Sequence, residues 1–220
     1  KGSLPTLAAN AADFGDRGAP ADVQALARWI IGEGAQQLNV KLASPQEAYV
    51  AIADGRINRE MSFAAINIRV ATLDTARALF KAANDNRVGA FIAEIARSEM
   101  GYTNQSPAEY AAILQAAAIL EGFEGPLFLQ GDHIQLKSGP VREGGPGAAK
   151  EIGAHRQLIH DLLAAGFGSI DLDMSPFERR TEENLSFEEQ QAENARLTDE
   201  KIVDVRALEK ELGIPWTVLL

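Results

Sequence analysis

The sequence predicts an α/β fold in which parallel strands alternate with helices. Short apolar runs recur along the chain, and each is followed by a longer segment whose apolar residues repeat with helical spacing. Capping signals mark the helix ends, such as Ser106 before Pro107 and Gly213 after the last periodic segment. Because a parallel crossover needs a dozen or more residues and usually contains a helix, this alternation indicates βαβ units.

Four βα units follow one another, and a fifth strand begins the next. The predicted strands and helices are, in order, 63–68 with 73–83, 88–96 with 107–121, 126–130 with 148–165, and 168–173 with 186–212, and the last strand starts at 214. The Gly- and Pro-rich stretch 138–147 is predicted to be a lid or a plain linker. Residues 22–31 and 45–53 are predicted helices, so we expect residues 1–60 to form an N-terminal helical segment before a β/α region at 61–220.

Composition excludes several kinds of site and partner. The chain has no cysteine, so a metal must bind through histidine and carboxylate groups, and a reducing compartment is the natural expectation. The net charge of −10, from 31 acidic and 21 basic residues, opposes binding to nucleic acid or to an anionic membrane. No stretch approaches the ~18 consecutive apolar residues of a spanning helix, and residues 1–10 lack the pattern of a signal peptide. We therefore expect a cytoplasmic protein.

Polar residues collect where the predicted strands end, which is the edge at which α/β proteins bind ligands. These residues are Asn67, Glu94, Asp132, His133, Asp171 and Asp173. An adjacent carboxylate and imidazole can supply a metal ligand and a general acid or base, although such a pair can also simply close a strand. Asp171 and Asp173 share one side of the next strand and are either further carboxylates of the same site or a solvated pair.

These motifs occur in the order found in class II, metal-dependent ketose-bisphosphate aldolases, which the chain resembles from about Ser44 to Thr198. Residues 65–68 match the first barrel strand of that family loosely. Asp132 and His133 match the Asp-His pair that ends its third strand, and 165–175 match the turn, the strand and the Asp-x-Ser motif that follow. The resemblance implies a (β/α)8 TIM-type barrel. Such a barrel needs about 250 residues, so we expect this chain to hold only the N-terminal four to five βα units.

The resemblance also implies a lyase that cleaves a phosphorylated ketose reversibly into dihydroxyacetone phosphate and an aldehyde, with zinc or another divalent cation. It makes Asp132 the catalytic acid or base, His133 and Asp173 metal-site residues, and Asn67 and Ser175 substrate-binding residues. The assignment is chemically consistent, since aldol cleavage deprotonates a hydroxyl and then stabilises an enediolate, which a Lewis acid assists. The full-length protein is expected to be a homo-oligomer.

The chain departs from the aldolase pattern in several respects. Glu94 and Ala96 stand where the family has Gln-x-Ser, and the remaining zinc histidines and phosphate loops are expected beyond Leu220. His155 and His160 are five residues apart, which is not the spacing of a helical metal pair, so we expect ordinary packing or surface roles for them.

Two alternatives to an aldolase therefore stay open. One is a non-catalytic partner subunit that stabilises a tagatose-bisphosphate aldolase, which the chain resembles more loosely through Glu94 and Gly101-Tyr-Thr103. The other is a different α/β enzyme in which Asp132 and His133 act without a metal.

Overall fold

The computed structural model of the chain describes residues 2–179, 184–214 and 217–220. The strands among these residues are β1 (Val40–Ala43), β2 (Ala65–Asn67), β3 (Ile92–Ala96), β4 (Gly125–Asp132), β5 (Ser169–Ile170) and β6 (Val218–Leu219). The helices are α1 (Leu4–Ala11), α2 (Ala21–Gln37), α3 (Gln46–Ala53), α4 (Thr72–Asp85), α5 (Arg97–Thr103), α6 (Pro107–Glu121), α7 (Ser138–Glu143), α8 (Gly145–Ala164) and α9 (Phe187–Leu212). Short 3-10 helices span Gly15–Arg17 and Ser175–Phe177.

Every strand pair in the described sheet is parallel, and β4 lies at its centre. The strands are ordered β2-β3-β4-β5-β6, with β1 also paired to β4. Phe128 of β4 pairs with Ile92 of β3 and with Ala43 of β1, so β1 and β3 lie on opposite edges of β4. Gln130 pairs with both β3 and β5, which places β5 beyond the end of β1 along the same edge. Within the described residues the sheet is open.

Successive strand residues face opposite sides of the sheet, and the main core lies on one of them. Ala93, Leu129 and Ile170 are buried in this core together with residues of α4, α6, α8 and α9. These crossover helices contact one another in chain order, α4 with α6, α6 with α8, and α8 with α9. On the other side, Ile92 and Phe128 form a smaller cluster, and polar groups follow towards the carboxyl ends of the strands. These polar groups therefore lie on the face of the sheet opposite to the crossover helices α4, α6, α8 and α9.

The structure confirms the predicted α/β class and the parallel sheet; β2, β3 and β5 are shorter than the apolar runs suggested, whereas β4 is longer. Helix α6 has the predicted bounds, and the Ser106 hydroxyl caps it by accepting the Glu109 N–H at 3.2 Å. No helix in the described part of the chain is long and apolar enough to span a membrane. Of the last predicted strand, Pro215 and Trp216 lie outside the described residues, and Val218–Leu219 pairs with β5.

The expected N-terminal helical segment at 1–60 contains α1, α2 and α3 but also a strand, because Val40–Ala43 forms β1 and pairs with Gly125–Phe128 of β4. A run of four residues between two helices is too short for a periodicity argument to reveal. The strand is recognised only by its pairing with β4. The N-terminal segment is therefore part of the sheet.

The prediction of a lid or linker at 138–147 is wrong, because these residues form α7 and the start of α8. Pro140 lies in the first turn of α7, and Pro146 lies in the first turn of α8. A proline costs little in the first turn, because its missing N–H has no acceptor within the helix there. The prolines that suggested a loop therefore mark two helix starts.

Gly168, at the junction of β1 and β5, should not tolerate a side chain. A Cβ at this position would lie 2.6 Å from the Ala43 carbonyl oxygen and 2.6 Å from Ser44 Cα, and backbone atoms cannot move aside as a side chain can. We expect Gly168→Ala to lower the free energy of unfolding by about 1–3 kcal/mol in urea titrations. Gly153→Ala is the control, because it lies in the exposed interior of α8 with open space around it, and it should raise stability by up to about 1 kcal/mol. Equal urea midpoints for Gly168→Ala and wild type would contradict the packing argument.

Candidate metal centre

The parallel register brings polar side chains of neighbouring strands into one row. Asn67 pairs with Glu94, Glu94 with Gln130, and Gln130 with Ser169. The Gln130 side-chain N–H donates to Glu94 Oε2 at 2.9 Å, and the Ser169 hydroxyl donates to Gln130 Oε1 at 2.9 Å. Asp132 follows Gln130 by two residues, so it faces the same side of β4. This row of polar side chains therefore lies on the same face of the sheet as Asp132, one step before the carboxyl ends of the strands.

His133 directly follows β4 and adopts a left-handed backbone conformation, with φ of 45°. Its N–H donates to Asp171 Oδ2 at 3.1 Å, and the next N–H, of Ile134, donates to the Asp171 carbonyl oxygen at 2.9 Å. Asp171 is itself joined to β4, because its N–H donates to the Gly131 carbonyl oxygen at 2.8 Å. A non-glycine residue in this conformation is strained by about 1–3 kcal/mol and persists where its surroundings hold it. Asp171 supplies that restraint.

Asp132, His133 and Asp171 form a group whose ligand atoms lie within 4.8 Å of one another. His133 Nδ1 is 3.6 Å from Asp171 Oδ2, and His133 Nε2 is 4.0 Å from Asp132 Oδ2. The imidazole is 61% exposed, while both carboxylates are about four-fifths covered. One imidazole nitrogen with two carboxylates fits a divalent cation such as zinc or manganese, and this donor set does not select zinc in particular.

Asp173, assigned to the metal site by the resemblance, lies outside that group. Its Oδ2 is 2.9 Å from His133 Nδ1 and accepts the Gln135 side-chain N–H at 2.6 Å, while its Oδ1 accepts the Ser175 N–H at 2.9 Å. Burial opposes ionisation of Asp173, but these hydrogen bonds outweigh it and lower the pKa to about 2. The structure thus makes Asp173 an anionic partner that orients the His133 ring, and its role as a direct ligand stays a prediction.

Protonation of the other groups follows from their surroundings. The hydrogen bond to Asp173 raises the pKa of His133 above its ordinary value, and the carboxylates of Asp132 and Asp171 add to the effect. Burial raises the pKa of Asp171, and burial together with the charge of Asp132 raises the pKa of Glu94. The carboxylates at this edge of the sheet therefore lie close enough to repel one another. A bound cation would relieve that repulsion.

The two predicted substrate-binding residues are engaged within the protein. The Asn67 amide donates to Glu99 Oε2 at 2.8 Å and accepts from Arg69 Nε at 2.9 Å. Ser175 begins a 3-10 helix and donates its N–H to Asp173. Asn67 is the last residue of β2, and Ser175 lies in the segment that follows β5. Their contact with a substrate stays a prediction.

The sequence analysis missed several residues that support this edge. Gln135 lies in the predicted loop, yet its side chain bonds Asp173, and its carbonyl oxygen accepts from Arg97 Nη1 at 2.5 Å. Arg97 also pairs with Glu151 of α8 at 2.6 Å. Glu99 accepts the Ala96 N–H at 2.9 Å, and its spacing of three residues from a strand end was a readable signal. The contacts of Gln135 and Arg97 join distant segments and left no such signal.

Comparisons with protein-family models, with curated proteins and with solved structures give no match to this chain.

Asp173 should make stability depend on pH in the acid range. Its pKa of about 2 in the folded chain lies below the ordinary 3.8, so it contributes stability above about pH 4 and loses it as the pH falls towards 2. We expect wild type to lose about 2 kcal/mol through this group over that window. Asp173→Asn should remove this part of the slope in urea unfolding measured from pH 5 to pH 2. An unchanged slope in Asp173→Asn would refute the assignment.

Proposed function

We propose that this chain carries a metal-dependent, aldolase-like site that cleaves a phosphorylated ketose reversibly into dihydroxyacetone phosphate and an aldehyde. The observation that carries the proposal is the group formed by Asp132, His133 and Asp171 at the carboxyl ends of adjacent parallel strands. This is the edge at which β/α folds bind ligands and perform chemistry. The order of the motifs along the chain, with its resemblance to class II aldolases, supports the substrate class.

Each residue of the group has a separate role in the proposed reaction. His133 and Asp171 would hold the divalent cation, which when bound supplies a Lewis acid for substrate oxygens. Asp173 fixes the His133 ring through Nδ1, which leaves Nε2 on the side of Asp132. Asp132 offers the carboxylate that takes a proton from a substrate hydroxyl. Glu94, whose pKa is raised, is a second group close to Asp132 that can carry a proton.

The remaining parts of the proposal follow from the resemblance and from the layering of the sheet. Strands β2 to β5 follow one another in order, with their crossover helices buried against one face. This order and layering are compatible with a (β/α)8 barrel, to which we assign the site. We further propose zinc as the cation, a phosphorylated ketose as the small-molecule partner, a cytoplasmic location, and a homo-oligomeric assembly.

One observation favours the non-catalytic partner subunit as a second candidate. Of the three histidines of the chain, only His133 lies at the strand edge, since His155 is buried on α8 and His160 bonds Asp161 on the same helix. A site with one imidazole and two carboxylates binds zinc more weakly than the three-histidine sites of catalytic zinc enzymes. Such a chain can keep the geometry of the site and assist an enzyme without performing turnover.

Metal binding is the first test of the site. We expect wild type to bind one Co2+ or Zn2+ per chain, followed by the visible absorption of Co2+ and by calorimetry. Removing the imidazole in His133→Ala, or a carboxylate in Asp171→Asn, should weaken binding by at least roughly tenfold, because each deletes one of the two ligands assigned to the cation. His160→Ala is the matched control and should bind as wild type does, since His160 lies outside the group. Absence of binding by wild type would contradict the proposed metal centre.

Turnover separates the two candidate functions. The metal-loaded chain is assayed with fructose and tagatose bisphosphates, and again after treatment with a chelator. Cleavage that chelation abolishes and that Asp132→Asn lowers by roughly 100-fold or more supports an aldolase, because that variant loses the proton-accepting carboxylate. Metal binding without any cleavage would contradict a complete aldolase site within this chain, and it is the result that the partner subunit predicts. Cleavage that survives chelation would contradict both.

A further inference from the structure

His155 is buried in α8 and has one hydrogen-bond partner among the described residues. Its side chain is 0% exposed, and its Nε2 lies 3.0 Å from the carbonyl oxygen of Ile134. Its Nδ1 is buried and has no partner in the described part of the chain. A carbonyl oxygen can only accept, so Nε2 carries the hydrogen and Nδ1 is a bare acceptor.

Packing alone does not account for an imidazole at this position. A buried acceptor without a partner costs free energy that an aliphatic side chain of similar size would avoid. A second proton does not remove that cost, because burial and the nearby charges of Arg97 and Lys201 lower the pKa of His155 to about 4. What His155 adds over an aliphatic residue is therefore its hydrogen bond to Ile134.

Ile134 is the residue that follows His133, and its backbone is held from two sides. Its N–H donates to the Asp171 carbonyl oxygen at 2.9 Å, and its own carbonyl oxygen accepts from His155. The side chain of Ile134 is also fully buried. These contacts fix the chain immediately after the left-handed backbone of His133, between the segment that follows β5 and α8. The direction of the His133 side chain depends on that backbone conformation.

We propose that His155 is a positioning residue, which holds the Ile134 peptide and so keeps the His133 imidazole aimed at Asp132 and Asp171. This assigns a role at the site to a helix residue that touches none of its ligand groups. The consequence for metal affinity rests on the proposed metal centre, whereas the consequence for the backbone can be measured without metal.

The test compares two substitutions of His155 with one control. His155→Leu fills a similar volume but removes the donor, while His155→Gln keeps a side-chain N–H at similar reach. His160→Leu, on the same helix but partly exposed, controls for loss of a histidine. Amide hydrogen exchange is recorded by NMR on the metal-free proteins, and Co2+ affinity is then measured by titration of the visible absorption. Thermal melting shows that each variant is folded.

In His155→Leu we expect the amides of Ile134 and Gln135 to exchange at least roughly fivefold faster, as loss of one hydrogen bond allows, while amides within α8 keep their protection. Co2+ affinity should fall by roughly 10- to 100-fold, the usual effect of removing a group that orients a metal ligand. His155→Gln should restore most of both properties, and His160→Leu should change neither.

Wild-type exchange at Ile134 and Gln135 in His155→Leu would overturn the proposal, as would faster exchange spread evenly over α8. Faster local exchange with unchanged Co2+ affinity would also overturn it, because the peptide would then not control His133. If wild type binds no Co2+ at all, the proposed metal centre fails, and the claim that His155 aims a ligand fails with it. The exchange data would then still show whether His155 holds the Ile134 backbone.

Discussion

The central strand β4 is hydrogen-bonded to β1, β3 and β5, and the placement of every group in the candidate site depends on this pairing. One of its edges is shared, since β1 pairs with the first half of β4 and β5 with the second half. Gly168 makes this possible, because the two strands meet there at a distance that excludes a Cβ. The shared edge brings Asp171 beside Asp132 and His133.

At the end of β4 the regular ladder gives way to a set of contacts around one strained residue. His133 has a left-handed backbone, and the Asp171 carboxylate and carbonyl oxygens accept the N–H groups of His133 and Ile134. Gln135 then bonds Asp173, which in turn bonds the His133 ring. The contacts come from the segment that follows β5 and from Gln135 in the segment that follows β4. The same set of contacts therefore holds both the strained backbone of His133 and the direction of its side chain, as a rigid metal site requires.

The sequence predicted the ends of the strands better than the contacts between them. Asp132 and His133 are adjacent in the chain, so one apolar run was enough to predict that both lie at the end of the same strand. Asp171 and Asp173 face the same side by the period of two, and the pattern could not rank them. The register decides between them, because Asp171 is hydrogen-bonded to Gly131 and Asp173 lies two residues further out, against the His133 ring. Strand β1 was invisible for a related reason, since four residues carry no period of their own.

The amino-acid sequence by itself determined the α/β class, the order of the βα units, helix α6 with its cap, and the polar residues that end each strand. These properties are local, because periodicity, capping and turn residues act within a few positions along the chain. The tertiary structure alone decided that β1 and β5 share one edge of β4, that Asp173 orients His133, and that His155 holds the peptide after it. Those contacts join residues from 21 to 40 positions apart or from separate strands. Which partners meet depends on the register and packing of the whole sheet, and no local pattern records that.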